Sequence, residues 1–523
     1  MLFCLLFLLL AALPASAGGQ APDTPPVAVK HISIGVFDRG QIPPDEGSME
    51  DNRWTRMLQE LIGPEIELEF RAYQRREALA QWDVELAVGR APDLLSTYYG
   101  AWIRQRASSG RALRLDPLLK HYAPDYVEAV GWDFIERHGH VEAYGYIEEG
   151  IYLLPSRRDH TSQDVLWVRA DWTDRLKLEP PDTAAEFLDL ARAFARDDPD
   201  GNGLHDTAGV ALTHRLINLV FAAYGIKYGS VAMPYNLLDG EIILAHEMPG
   251  FWDAVRYMRR LYDEGLVDPG LVRPSYDQQA DELAKSGRLG IFARNVDWGA
   301  RLLEANREHT EDARWTVIPL FESDGWGRHP YLETFEASLT GLVAATAEHP
   351  EAVLRYVNLQ ADPGVQALIT HGIEGVHYEL ADGVPVEIDP KRNEREQAYA
   401  RNSSYLILRG PNIDGPETAL RWAEQARDPL KREGYRLQAL ALSLLDDPYA
   451  YPRFRYAVHM PQTSTYHEAL RNDLESLVIK TIVGGRQFGL DDARAELAEL
   501  LERNHYAEVK WELNEFSDVS EYR

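Results

Sequence analysis

Apolar and polar positions alternate at Ile32, Ile34 and Val36, the period of a strand with one buried face. A helical pattern opens at Ser48, runs through Trp54, Met57, Leu58 and Leu61, and stops at Gly63-Pro64. Ile66, Leu68 and Phe70 alternate again, and a helical stretch from Glu77 to Val88 ends at Gly89. Pro92-Asp93 then leads into a third strand, Leu94 to Thr97. This β-α-β-α-β succession is the unit of an open parallel sheet with helices over its faces. In such sheets ligands sit beyond the carboxyl ends of the strands, and no glycine-rich dinucleotide fingerprint interrupts this one. The third strand runs into Tyr98-Tyr99-Gly100-Ala101-Trp102, so three large aromatics are expected at that edge.

A second α/β region begins near Ile151. Val165 to Val168 reads as a strand. Thr183-Ala184-Ala185-Glu186 has the spacing of a capping box, in which hydroxyl and carboxylate each satisfy a free backbone N–H. Phe187, Leu190, Ala191 and Phe194 mark the buried face of the helix that follows. Phe251, Val255, Met258 and Tyr262 mark another, closed by Gly265. Leu289 to Phe292 is a further strand, followed by Ala293-Arg294-Asn295-Val296-Asp297-Trp298, again an aromatic and polar groups after a strand end. From Glu348 onward the pattern is mostly helical, notably over 416–445 and 466–482, with no internal repeat at a fixed period.

Composition narrows the class. A chain of 523 residues accommodates two or three domains. A net charge of −29 argues against nucleic acid and anionic lipid as partners, and suits an exported protein kept soluble by its acidity. The one cysteine, Cys4, leaves the rest of the chain without disulfides, iron–sulfur clusters or cysteine-bound zinc. Met1 to Leu13 is nearly all apolar but too short to span a bilayer, and Ala15-Ser16-Ala17 supplies the small residues a signal peptidase accepts. We expect a cleaved signal over 1–18 and a flexible Gly/Pro-rich lead-in over 19–30, although no Lys or Arg precedes the apolar run. Leu2-Phe3-Cys4 lacks the small residue that precedes a lipidated cysteine, so a free periplasmic protein is expected rather than a lipoprotein.

The sharpest motif is Asp198-Pro199-Asp200-Gly201-Asn202-Gly203-Leu204-His205-Asp206. Oxygen side chains fall at loop positions 1, 3, 5 and 9, with glycine at 6, as a hard cation such as calcium requires of a tightly curled loop. Leu204 can lend its carbonyl. Position 12, where a regular EF-hand has glutamate, is Gly209, so Asp206 or Thr207 has to close the shell. The bland alternative is an Asp/Asn/Gly turn that caps the preceding helix and binds nothing.

With these segments in view, the sequence resembles the extracellular solute-binding proteins of carbohydrate ABC importers, notably the lipoprotein-type sugar-binding and alginate-binding proteins. The likeness is carried by Gly89-Arg90-Ala91-Pro92-Asp93-Leu94-Leu95, by Val165 to Leu176, by the capping-box helix running into the acidic loop, by Leu261 to Pro269 and by Gly372 to Tyr378. The resemblance implies an α/β, two-lobe periplasmic-binding-protein fold of class II type, with a hinge of several crossings and a helical C-terminal part. We place lobe 1 over 31–150 plus about 331–415, and lobe 2 over 151–330 plus part of 416–523. It further implies a structural calcium ion held by Asp198, Asp200, Asn202, the Leu204 carbonyl, Asp206 and the next residue; the alginate-binding members have an acidic residue where this chain has Thr207. The implied partners are an oligosaccharide and the membrane permease of the importer, with the chain itself a monomer and no enzyme.

Sugars present flat C–H faces and a rim of hydroxyls, so their sites want aromatic platforms and planar polar groups between closing lobes. Candidate contacts are Tyr98, Tyr99 and Trp102 in the first lobe, and Tyr235, Asn236, Arg294, Asp297 and Trp298 in the second. Trp326 and His329 lie in a Gly-containing loop near the expected hinge. Glu374, His377 and Tyr378 are typical of the family but equally suited to fixing local structure. The rivals from other classes are a secreted carbohydrate-active enzyme, which needs two carboxylates across the scissile bond, and a sugar sensor that binds without transport.

Overall fold

The computed structural model describes residues 28–141, 147–157, 164–228, 235–268, 270, 277–307, 310, 312–323, 325–326, 337–408, 415–445, 455–456 and 460–518. The expected signal segment and His329 lie outside them.

The first lobe is built on a five-stranded sheet. Its order is Ile66–Gln74, Lys30–Asp38, Leu94–Thr97, Ala337–Val343 and Leu153–Arg157. The first three strands are parallel, with Lys30 opposite Ile66 and Ile34 opposite Leu94. The strand Ala337–Val343 runs antiparallel between its two neighbours. Helices Arg53–Ile62 and Ala78–Ala87 make the crossovers, as the periodicity predicts. The first starts later than Ser48. Asn52 is its cap, accepting from the N–H groups of Trp54 and Thr55, while the Thr55 hydroxyl accepts the Asn52 N–H at 2.9 Å. Asn52 wins because its amide also donates to the Ser48 carbonyl and the Tyr405 hydroxyl, tying the helix start to the lobe's interior.

The second lobe carries a four-stranded sheet ordered Trp315–Ile318, Asp164–Arg169, Leu289–Asn295 and Ala208–Val210. Asp164–Arg169 is antiparallel to both neighbours and Ala208–Val210 is parallel to Leu289–Asn295. Helix Ala184–Arg196, started by the Thr183/Glu186 capping box, lies directly on this sheet. It comes so close that a Cβ on Gly290 would sit 2.2 Å from the Phe194 ring, and one on Gly209 would sit 2.2 Å from the Ala191 carbonyl oxygen. Phe187, Phe194 and Trp172 form the core between helix and sheet.

Two expectations shift. The strand Leu153–Arg157 belongs to the first sheet, so the second lobe begins after 157 rather than at 151. The reason is pairing: its Leu154 sits opposite Gly341 and Pro155 opposite Thr340, a match invisible to a local pattern. The helical stretch 416–445 is two helices, Pro416–Gln425 and Pro429–Ser443, because Pro429 cannot continue a helix and Asp428 caps a new one by accepting the Leu430 N–H. These two helices and the later ones, Pro461–Val483, Leu490–Arg503 and Tyr506–Phe516, pack on the second lobe.

Among the described residues the chain changes lobes three times, between 157 and 164, between 318 and 337, and between 408 and 415. In the first sheet the first two of these passages leave or enter at the edge where Leu94–Thr97 ends. In the second they use the edge where Leu289–Asn295 ends. The connections thus join the carboxyl-end edges on which ligands collect in α/β sheets. No helix among the described residues is long and apolar enough to cross a membrane.

Candidate functional site

A cavity of about 780 Å³ lies at the seam between the lobes, within the range of ligand pockets of roughly 300–1,000 Å³. The first lobe contributes the end of helix Pro363–His371, the strand Val384–Glu387 and the turn at Arg401–Ser403. The second contributes Asp297 and the facing sides of Pro416–Gln425 and Pro429–Ser443, including Trp422, Lys431 and Tyr435.

Aromatic rings cross this seam in a row. Tyr378 lies 5.7 Å from His371, His371 lies 6.0 Å from Trp422, and Trp422 meets Tyr435 edge-on at 5.6 Å. Burial, aided by the nearby Arg401 charge, lowers the His371 pKa to about 4, so its ring is neutral and apolar in character at pH 7. Charged groups clasp the rim. Arg427 pairs with Glu379 and Lys431 with Glu387, while Gln425 Nε2 donates to Asp382 Oδ2 at 3.0 Å. Each of these contacts joins the hairpin Tyr378–Ala381/Val384–Glu387 of the first lobe to the second.

Of the predicted sugar contacts, Asp297 lines this cavity. Beside it Trp298 is half-buried, with the Arg294 guanidinium 4.3 Å above its ring. Arg294 is held by Asp281 through two hydrogen bonds of 2.9 and 2.6 Å, so it positions Trp298. Tyr98 and Tyr99 stand on the facing edge of the first sheet, outside the cavity. Tyr99 is 38% exposed, and Arg75 sits 5.6 Å from the Tyr98 ring.

Other expected contacts are placed differently. Trp102 is half-buried and packs against Trp82 at 5.8 Å, on the flank of the first lobe's core. Tyr235 is 1% exposed, deep in the second core, with its hydroxyl 3.1 Å from His467 Nδ1. Asn236 is spent on both backbone groups of Lys227, at 2.7 and 2.9 Å. Trp326 packs on the second core beside Gly250. Tyr235 and Asn236 open the strand Tyr235–Leu238 with their side chains buried, while Trp102 and Trp326 lie half-buried against the cores. His377 is fully buried, and its Nδ1 accepts the Ile373 N–H at 3.0 Å, which makes it a local brace. The residues that sequence reasoning missed, His371, Trp422 and Tyr435, sit on amphipathic helices where an aromatic at helical spacing reads as core; Trp422 and Tyr435 do pack on core while also lining the cavity.

The acidic loop follows helix Ala184–Arg196. Asp198 is left-handed at φ 49°, and Gly201 and Gly203 are at φ 70° and 80°, which curls the chain. Asn202 Nδ2 donates to Asp200 Oδ2 at 2.8 Å and to Asp206 Oδ1 at 3.3 Å, and the Gly203 N–H donates to Asp198 Oδ2 at 3.0 Å. Burial, with Asp206 and Asp198 nearby, raises the Asp200 pKa. Asp198 Oδ1 is buried with no hydrogen-bond partner among the described residues. That donor chemistry fits a hard cation. As the loop stands, no three His, Cys, Asp or Glu side chains among the described residues are drawn together as a metal centre. Thr207 departs from the expected ligand set: its hydroxyl donates to the Phe194 carbonyl at 2.8 Å and closes the helix instead.

A family model described as bacterial extracellular solute-binding protein matches residues 63–367. The polygalacturonan/rhamnogalacturonan-binding protein YtcQ of Bacillus subtilis (strain 168) is 28% identical over 239 residues, 44% of this chain and 46% of that protein. The fructooligosaccharide ABC transporter substrate-binding protein FusA of Streptococcus pneumoniae serotype 4 is 27% identical over 196 residues, 36% of this chain and 34% of that protein. The chain thus spans about half or less of the length of these curated relatives. In fold it is similar to the HMO-binding, ABC-transporter-associated solute-binding protein of Bifidobacterium longum infantis, with TM-score 0.67 and 16% identity over 93% of this chain and 99% of that one. With two α/β lobes joined by three crossings and a cavity at their seam, and with the family model matching more than half its length, the chain belongs to the bacterial extracellular solute-binding proteins.

Proposed function

We propose that the protein captures an oligosaccharide between its lobes and delivers it to the membrane permease of an ABC importer. The observation that carries this reading is the cavity at the seam, where His371 from the first lobe and Trp422 and Tyr435 from the second line one space. Sugar C–H faces stack on such rings, and polar groups at the walls order the hydroxyls. Sugar favours the closed form because only that form contacts it from both sides.

The protein is exported, with the segment 1–18 as its cleaved signal and the periplasm as its destination; that the family is extracellular supports this. Calcium, when bound, supplies positive charge to the acidic loop. Asp198, Asp200, Asn202, the Leu204 carbonyl and Asp206 would hold it, and the partnerless Asp198 oxygen supports that assignment. The loop's part is to brace helix Ala184–Arg196 against the second sheet.

Incubating the purified protein with an oligosaccharide panel tests the reading. A raised melting temperature with ligand recovered intact supports capture. Turnover with product release would refute it in favour of an enzyme.

A further inference from the structure

We propose that the cavity selects neutral oligosaccharides over uronic-acid ones and that Asp297 sets this choice; the proposal rests on the oligosaccharide reading above.

Asp297 follows the strand Leu289–Asn295, in a turn closed by the Trp298 N–H donating to the Asn295 carbonyl at 3.1 Å. Its side chain is exposed, lines the cavity, and makes no hydrogen bond or ion pair with the described residues. The nearest cation in sequence, Arg294, is committed to Asp281 and to the Trp298 ring. A carboxylate accepts through two oxygens and donates nothing, which suits two neighbouring hydroxyls on one sugar ring and opposes a second carboxylate.

Two of the cavity's three cations are already paired with carboxylates. Lys431 is bound to Glu387 and Arg427 to Glu379, so a sugar carboxylate would have to displace a protein carboxylate to reach either. The lining groups comprise Arg401, Arg427 and Lys431 against Asp297, Glu387 and Asp428, and Glu379 adds a fourth anion behind Arg427. The chain around them carries −29. A uronic-acid chain brings one further negative charge per ring into this field, whereas a neutral chain adds none.

Titration calorimetry on the full chain at low salt decides it. The probes are neutral fructo-, galacto- and xylo-tetrasaccharides, tetragalacturonate, tetramannuronate, and fully methyl-esterified tetragalacturonate as a neutral twin. At least one neutral probe should bind, with the acidic ones roughly tenfold or more weaker. About 0.5 M NaCl should narrow the gap. Asp297→Asn, checked for an unchanged melting profile, should weaken neutral binding roughly tenfold and strengthen acidic binding. An acidic probe binding more tightly than every neutral one, or an Asp297→Asn variant that alters neither class, overturns the proposal and leaves the oligosaccharide site standing. No binding by any probe of either class instead removes the oligosaccharide reading.

Discussion

His371 and Trp422 meet across the seam between the lobes, ring centroids 6.0 Å apart and planes inclined at 49°. One belongs to helix Pro363–His371, the other to Pro416–Gln425, and the chain changes lobes between them. Trp422→Ala should weaken sugar binding by about 1–2 kcal/mol, the scale of an aromatic contact. Because Trp422 also packs on the second lobe's satellite core, the same change should lower stability by about 2–3 kcal/mol. Calorimetry and urea unfolding separate the two losses; binding unaffected by Trp422→Ala would remove this ring from the site.

The rim pairs Arg427–Glu379 and Lys431–Glu387 are partly exposed, so breaking either should cost less than about 1 kcal/mol of stability. Their effect should appear in shape instead. Glu379→Gln with Glu387→Gln should enlarge the radius of gyration of the sugar-free protein in X-ray scattering, and high salt should do the same to the wild type. A radius indifferent to both would show that the pairs do not hold the lobes.

Acid should loosen the protein in two stages. Burial lowers His246, His371 and His467 each to about 4, from an ordinary value near 6.5. The unfolded chain binds more protons than the folded one between these values, so stability falls as pH drops from about 6.5 to about 4. Lower still, Glu264 and Glu396 contribute. Arg192 holds the Glu264 pKa to about 2, and at Glu396 burial is outweighed by Arg395, Arg392 and Arg53 to the same result. Their stabilisation is full above about 4.5 and is lost towards about 2. Urea midpoints between pH 7 and pH 4 should therefore fall, and His371→Phe should flatten part of that slope.

Glu396, itself buried, anchors a network of partly exposed arginines. Arg53 reaches it at 2.6 Å while gripping Glu46 at 2.6 and 2.8 Å, and Trp54 donates to its backbone carbonyl. Glu396→Gln should cost about 2 kcal/mol, the scale of charge-assisted hydrogen bonds lost from partly exposed arginines. A loss below about 1 kcal/mol in denaturant unfolding would show that the arginines relax into solvent.

If the acidic loop binds calcium, raising free calcium to about a hundred times its Kd should stabilise the chain by about 2.7 kcal/mol, and a chelator should reverse this. Asp200→Asn should remove most of the response, and Thr207→Ala should leave it largely intact, since that hydroxyl serves the Phe194 carbonyl. A melting temperature blind to calcium would return the loop to a simple helix-capping turn.

Local periodicity settled a good deal. The strands at 30–38, 66–74 and 94–97, the helices between them and the capping box at Thr183 were readable because each is specified by neighbours within a few residues. That Asp297 follows a strand end was readable too; that it lines a cavity was not. The short-range pattern could not tell that Leu153–Arg157 pairs back into the first sheet, since its partner lies nearly two hundred residues away. Nor could it separate Tyr235, drawn into a core, from Trp422 and His371, set at the seam.

The sequence alone determined the elements, the two α/β regions, the acidic loop and the kind of side chains available. Only the tertiary structure decided which rings share a space, because His371 and Trp422 become neighbours through the third crossing between the lobes. Whether an aromatic is buried or turned to a ligand depends on what the rest of the chain packs against it, and that information is not local.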